Sequence, residues 1–185
     1  MAVNARERIL ETATQLFYRD GIHRVGIDLV IAESGVAKMS LYRHFGSKEE
    51  LVLAFLDRIN TEWFTWLKER VSRARAPQRP LAVFDALGEW FKTPTFRGCP
   101  FVSSAAEFRD PTDPVHLAAW QFKKGLRGYF QTLLREAGRS DHAALADAFL
   151  LLADGAMVRA AMEGKPDSAK VARRAGGALL RTQHS

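Results

Sequence analysis

Residues 22–45 read IHRVGIDLVIAESGVAKMSLYRHF. An apolar run begins at Ile27, Gly35 interrupts it, and a second short run begins at Lys38. The spacing predicts a helix over 27–34, a tight glycine turn, and a short helix over 38–45. That is the arrangement of a helix-turn-helix, whose second helix enters a major groove of duplex DNA. On a wheel drawn over 38–45, Leu41 and Phe45 point one way. Met39, Ser40 and Arg43 point the other way, and Tyr42 and His44 flank that outer face. A helix this short, with two apolar anchors, buries too little surface to be stable alone. It needs the preceding helices and the start of the next one as a bed.

Outward from this stretch, almost everything reads as helix. Residues 5–19 put Ile9, Leu10, Ala13, Leu16 and Phe17 on one face, and Gly21 closes that helix. Ser47 and Glu50 form the capping-box pattern S-x-x-E ahead of the apolar run Leu51–Leu56, which opens a long helix reaching about residue 72. Arg70–Pro80 holds four arginines and two prolines and reads as a solvated elbow. Further helices are expected at about 80–92, 100–109, 114–137, 141–163 and 167–182, separated by proline and glycine signals. No sustained two-residue alternation appears, so the expected fold is all-α with about nine helices. The expected division is a DNA-binding domain over 1–48, completed by the start of the fourth helix, and a larger helical body over 49–185.

Composition narrows the function classes. Hydrophobic residues make up 47% and charged residues 26% of the 185, which excludes a disordered or low-complexity chain. No apolar run is long enough to span a membrane, and MAVNARERIL lacks the pattern of a signal peptide. The single cysteine, Cys99, excludes an internal disulfide framework and a multi-cysteine zinc site, and the natural compartment is a reducing cytoplasm. The net charge of +6 is compatible with a polyanionic partner. There is no glycine-rich phosphate loop, and the histidines are scattered, so no metal or cofactor is expected.

Residues 6–56 resemble the DNA-binding domain of the tetracycline-repressor (TetR) family. The opening helix ending in LFYRDG, the stretch IAESGVAKMSLYRHF and the following GSKEEL carry the resemblance. The resemblance implies a three-helix DNA-binding domain in which Met39, Ser40 and Arg43 face base edges or the groove wall. His44 flanks them. Lys38 and Tyr42 would anchor to phosphates, as would Lys48 at the start of the fourth helix. The family pattern usually has Thr or Ser where this chain has Gly26, and often Ser or Thr where it has Ala37. Both interface positions therefore lack a capping hydroxyl.

After about residue 60 the resemblance weakens. FRGCPFVSSAAEFRDPTDPVH, residues 96–116, is similar to a segment of one branch of the family. The family shares a helical body that binds a small effector and dimerises. The aromatic crowding suggests an effector pocket drawn from Phe84, Leu87, Trp90, Phe91, Cys99, Phe101, Glu107, Trp120 and Phe122, although each ring is equally ordinary core material. Glu107 could orient a cationic ligand or pair with a neighbouring arginine. Alanine and glycine crowd 141–163 and 167–182, the two helices through which the family forms homodimers, the alternative being close packing within one subunit. The expected function is a ligand-released repressor, not an enzyme, that binds a palindromic double-stranded operator as a homodimer. Two alternatives stand: a thiol-responsive regulator using Cys99, and a helical binding protein or enzyme with no DNA role.

Overall fold

In the computed structural model, which describes residues 4–182, each early helix begins and ends on a local signal. Asn4 accepts the Glu7 N–H at 2.8 Å and opens α1, Ala5–Asp20. Ile9, Leu10, Ala13, Leu16 and Phe17 are all buried, the face that the helical period predicts. Two short helices follow: α2, Ile27–Ser34, and α3, Lys38–His44. Gly35 between them has φ +64°, the left-handed region that a side chain would strain, and its N–H returns to the Ile31 carbonyl. The long helix α4 covers Lys48–Ser72.

The elbow is more ordered than an open loop. Ala76–Gln78 forms a 3-10 turn that leads directly into α5, Arg79–Phe91. Pro77 and Pro80 each stand in the first turn of these elements, where a fixed φ and a missing N–H cost nothing. Then come α6, Pro100–Glu107; α7, Pro114–Glu136; α8, His142–Glu163; and α9, Asp167–Arg181. Among the described residues these are nine α-helices and no strand, so the all-α expectation holds. None of the described helices is long and apolar enough to cross a membrane.

The chain divides into two compact units. The first holds everything up to Glu62 together with Pro100–Trp120, and the second holds Trp63–Cys99 and the chain from Gln121 onward. The division thus falls inside α4 and α7, and α6 is grouped with the N-terminal helices. In the first unit, Phe17 meets Phe55 edge to face with ring centroids 5.6 Å apart. Arg58 of α4 reaches back to Glu7 of α1 at 2.6 Å.

In the second unit, Phe84, Phe130 and Phe149 form a fully buried triangle with centroids 5.5–5.9 Å apart. α9 lies close against α5 and α8 because its contact residues are small. Gly176 is the tightest point, where a Cβ would stand 3.1 Å from the Phe149 ring and 3.2 Å from the Phe84 ring. Gly176→Val regains a few tenths of a kcal/mol of helix propensity. Overpacking against two immobile rings outweighs that gain, and urea denaturation should show a net loss of about 1–3 kcal/mol. An unchanged midpoint would mean that α9 is free to shift outward.

Candidate nucleic-acid interface

The exposed face of α3 follows from what the helix buries. Leu41 is fully buried and Phe45, just past the helix end, is nearly so. The Arg6 guanidinium sits over the Phe45 ring at 5.1 Å, tying α1 to the end of α3. The opposite face is left to solvent: Met39 is 79% exposed, and Tyr42, Arg43 and His44 are exposed beside it, with Ser40 half-buried. Tyr42 is thus a surface residue rather than part of the core.

The start of each short helix is bare of side-chain caps. Gly26 precedes α2 and Ala37 precedes α3, and neither supplies a capping hydrogen bond. The first N–H groups of both helices therefore have no side-chain acceptor, which suits a phosphate oxygen. Lys38 Nζ stands 3.4 Å from Asp28 Oδ1 with both side chains mostly exposed, a pair worth about 0–1 kcal/mol and easily exchanged for a phosphate. The α4 start is capped. Ser47 Oγ accepts the Glu50 N–H at 3.1 Å, and Glu50 accepts the N–H of Gly46 at 2.9 Å, one residue earlier than the usual reciprocal partner. Burial pushes the Lys48 ammonium below the ordinary lysine range, and the negative charge of Glu107 opposes that shift.

This surface has known counterparts. Residues 9–55 match the family described as bacterial regulatory proteins, tetR family, and residues 76–176 match the tetracyclin repressor-like C-terminal domain. The chain belongs to the TetR family. It is a DNA-binding transcriptional regulator of the helix-turn-helix class. Among its relatives, the transcriptional regulator LmrA of Bacillus subtilis is 28% identical over 75% of each chain. The transcriptional repressor NemR of Escherichia coli is 29% identical over 75% of this chain and 71% of its own. The crystal structure of SCO4454, a TetR-family regulator from Streptomyces coelicolor, superposes with a TM-score of 0.89 at 34% identity. That match covers 96% of this chain and 88% of the other.

The residues expected to form this TetR-family regulator's effector pocket fall in both units. Phe101, Glu107 and Trp120 belong to the first; Phe84, Leu87, Trp90, Phe91, Cys99 and Phe122 belong to the second. Within the second, Phe84 and Leu87 are fully buried, and Phe84 is part of the phenylalanine triangle. Trp90 and Phe122 instead meet around Trp63, at 5.8 and 5.3 Å. Phe64 packs on the same Phe122 ring at 5.4 Å. Trp63 and Phe64 were not among the expected residues, although the aromatic run WFTW at 63–66 was there to be read. The Trp63 indole N–H is buried with no hydrogen-bond partner. Phe91 lines a half-open cleft of about 620 Å³, shared with Phe96, Arg97, Ala160 and Gly164.

In the first unit, Phe101 is buried and Trp120 is half exposed. Glu107 is committed to the main chain: its carboxylate accepts the N–H groups of Ile22 and His23. No sequence signal marks that contact, because 84 and 85 residues separate the partners. Cys99 is buried, its sulfur 3.6 Å from the ammonium of Lys123, which is also paired with Asp154. Among the described residues, no group of three His, Cys, Asp or Glu side chains could hold a metal ion.

Proposed function

We propose that this regulator is an effector-released repressor that binds a palindromic operator as a homodimer, acting by binding and not by catalysis. The observation that carries the DNA-contact reading is the division of α3. Leu41 is sealed in the core while Met39, Tyr42 and Arg43 stand clear of it. Arg43 and Met39 read base edges, Ser40 and His44 flank them, and Lys38, Tyr42 and Lys48 hold phosphates. Backbone N–H groups after Gly26 and Ala37 add phosphate contacts at the two uncapped helix starts.

The dimer reading rests on what α8 and α9 leave uncovered. Part of the small-residue set that suggested it is occupied within the subunit, while Ala143, Ala144, Gly155, Ala161 and Ala178 are exposed. Ala156, Ala160, Ala172 and Gly176 are buried, and the Ala156 carbonyl accepts the Ser168 hydroxyl at 2.7 Å. The exposed apolar residues of these helices are Leu151 at 73% and Met162 at 82%, with Val158 and Val171 less so. A two-fold interface through these residues makes one patch meet its own copy. It would set the two recognition helices about 34–36 Å apart, one turn of duplex.

The effector reading rests on the aromatic group around Trp63. Leaving an indole N–H buried and unpaired costs about 1–3 kcal/mol, which an effector carrying a hydrogen-bond acceptor would recover. An apolar or aromatic molecule with one such acceptor fits Trp63, Phe64, Trp90 and Phe122. The burial of Cys99 favours this ligand-sensing reading over the thiol-responsive one. To move a population from 1:99 to 99:1 the effector must prefer the DNA-incompetent state by about 5.5 kcal/mol.

Three outcomes are expected. Arg43→Ala should cost roughly 1–3 kcal/mol at one operator position and relax the preference there. Equal losses on specific and random duplexes, measured at one salt concentration, would instead make Arg43 a phosphate contact. Met162→Glu combined with Leu151→Glu should give monomers by light scattering at micromolar concentration, with little operator affinity; a dimer under those conditions would contradict the interface. A ligand that quenches the tryptophan fluorescence of the wild type more than that of Trp63→Phe should, at saturation, release the operator in a gel shift. Saturation with no release would sink the effector reading for that ligand.

A further inference from the structure

α6 ends on a carboxylate whose partners lie in the turn between α1 and α2. Glu107 Oε1 accepts the Ile22 N–H at 3.1 Å, and Oε2 accepts the His23 N–H at 2.6 Å. These two amides form the turn that leaves α1 and leads to α2. Gly21, immediately before them, takes φ +89°, a conformation that a side chain would strain. Hydrogen bonds from neutral amides to an ionised acceptor are among the stronger kind, and one carboxylate here serves two consecutive donors.

The contact is braced on both sides. His23 Nδ1 stands 3.1 Å from Glu107 Oε2, and the His23 ring stacks on Phe108 with centroids 4.7 Å apart. Phe108 is itself held, because its carbonyl lies 2.7 Å from His116 Nδ1 of α7. On the other side of the turn, the side chains of Ile22 and Val25 are buried in the first unit's core. The turn is therefore a rigid link. Its main chain is fastened to the end of α6, and its side chains are packed with α1–α3.

Most turns of this kind satisfy their amides locally or with water. Here an acceptor from 84 residues away does so. The Glu107 carboxylate also acts on the charge of Lys48, one of the side chains proposed to hold a phosphate, and so adds negative charge beside it. Ordinary turn chemistry does not need that arrangement; a geometric requirement on the turn does. We propose that Glu107 is a positioning residue for operator binding: through the Ile22 and His23 amides it holds the α1–α2 turn, and with it the recognition helix, in the DNA-competent orientation. This rests on the operator-binding reading above and assigns Glu107 no contact with DNA or effector.

The test uses the full chain and an operator selected by the wild-type protein from random duplexes. Operator affinity, random-duplex affinity and amide hydrogen exchange at Ile22 and His23 are measured for wild type, Glu107→Gln and Glu107→Ala. In the wild type, operator binding should raise the protection of both amides. Glu107→Ala, still helical and dimeric, should lose on the order of 5- to 50-fold in operator affinity and less on random duplex, the range of an ordinary coupling between sites. Glu107→Gln should fall between, because its amide oxygen keeps one acceptor. By reciprocity, the gain in amide protection on operator binding should approach the affinity lost in Glu107→Ala. A purely structural role would lower the thermal midpoint and leave the folded variants at wild-type operator affinity; that result overturns the proposal. If Glu107→Ala does not fold, unchanged wild-type protection at Ile22 and His23 on operator binding overturns it equally. A wild type that selects no operator overturns both this proposal and the operator-binding reading. A wild type that selects one but is matched by both variants overturns this proposal alone.

Discussion

A seven-residue helix cannot hold itself together, and the DNA-binding unit is organised around that fact. α3 supplies Leu41 and Phe45 as its only apolar anchors. Both must be buried for the helix to exist, and burying them settles which face stays exposed. α1 and α2 pack directly on α3, and Arg6 reaches from α1 over the Phe45 ring. α1 in turn meets the early part of α4 through Phe17 and Phe55 and through Glu7 and Arg58. The recognition face is thus the remainder left when the anchors are satisfied, and its chemistry is free to vary without cost to the fold.

The same unit divides its helix starts between capped and uncapped ones. α1 and α4 have side-chain caps from Asn4 and Ser47. α2 and α3 follow Gly26 and Ala37, which provide none. The cost of leaving those donors to solvent is small, because they lie at the surface. The turn before α2 is treated oppositely, with both of its amides given to Glu107. Caps stand at α1 and α4, and the bare N-termini of α2 and α3 are the ones we propose for phosphates.

In the second unit, small residues and aromatic residues divide the work. Glycine and alanine let α8 and α9 approach one another and α5, with Gly176 admitting the rings of Phe84 and Phe149. That use takes Ala153, Ala156, Ala160, Ala172 and Gly176 out of any outside interface. Ala143, Ala144, Gly155, Ala161 and Ala178 stay exposed, together with the larger Leu151 and Met162. The aromatics likewise fall into two kinds. Phe84, Phe130 and Phe149 fill a closed core, whereas Trp63, Phe64 and Trp90 are half-buried and meet Phe122 in a group containing a buried, unpaired indole N–H.

Periodicity and punctuation were enough to read the helices, because both act within a few residues. The buried face of α1, the stop at Gly35, the capping pair at Ser47 and Glu50, and the outward face of α3 were all legible in this way. The similarity of 6–56 to a known family made the function of that face legible too. Composition left two readings open where one residue type has two uses. Alanine crowding in α8 and α9 serves helices within a subunit as readily as helices between subunits. An aromatic run serves a closed core as readily as a binding site. Only the tertiary structure separates these, because burial depends on which elements meet. The reach of Glu107 to Ile22 and His23 belongs to the same class. Its partners are set by the packing of α6 in the first unit, across a sequence distance over which no local propensity or spacing carries information.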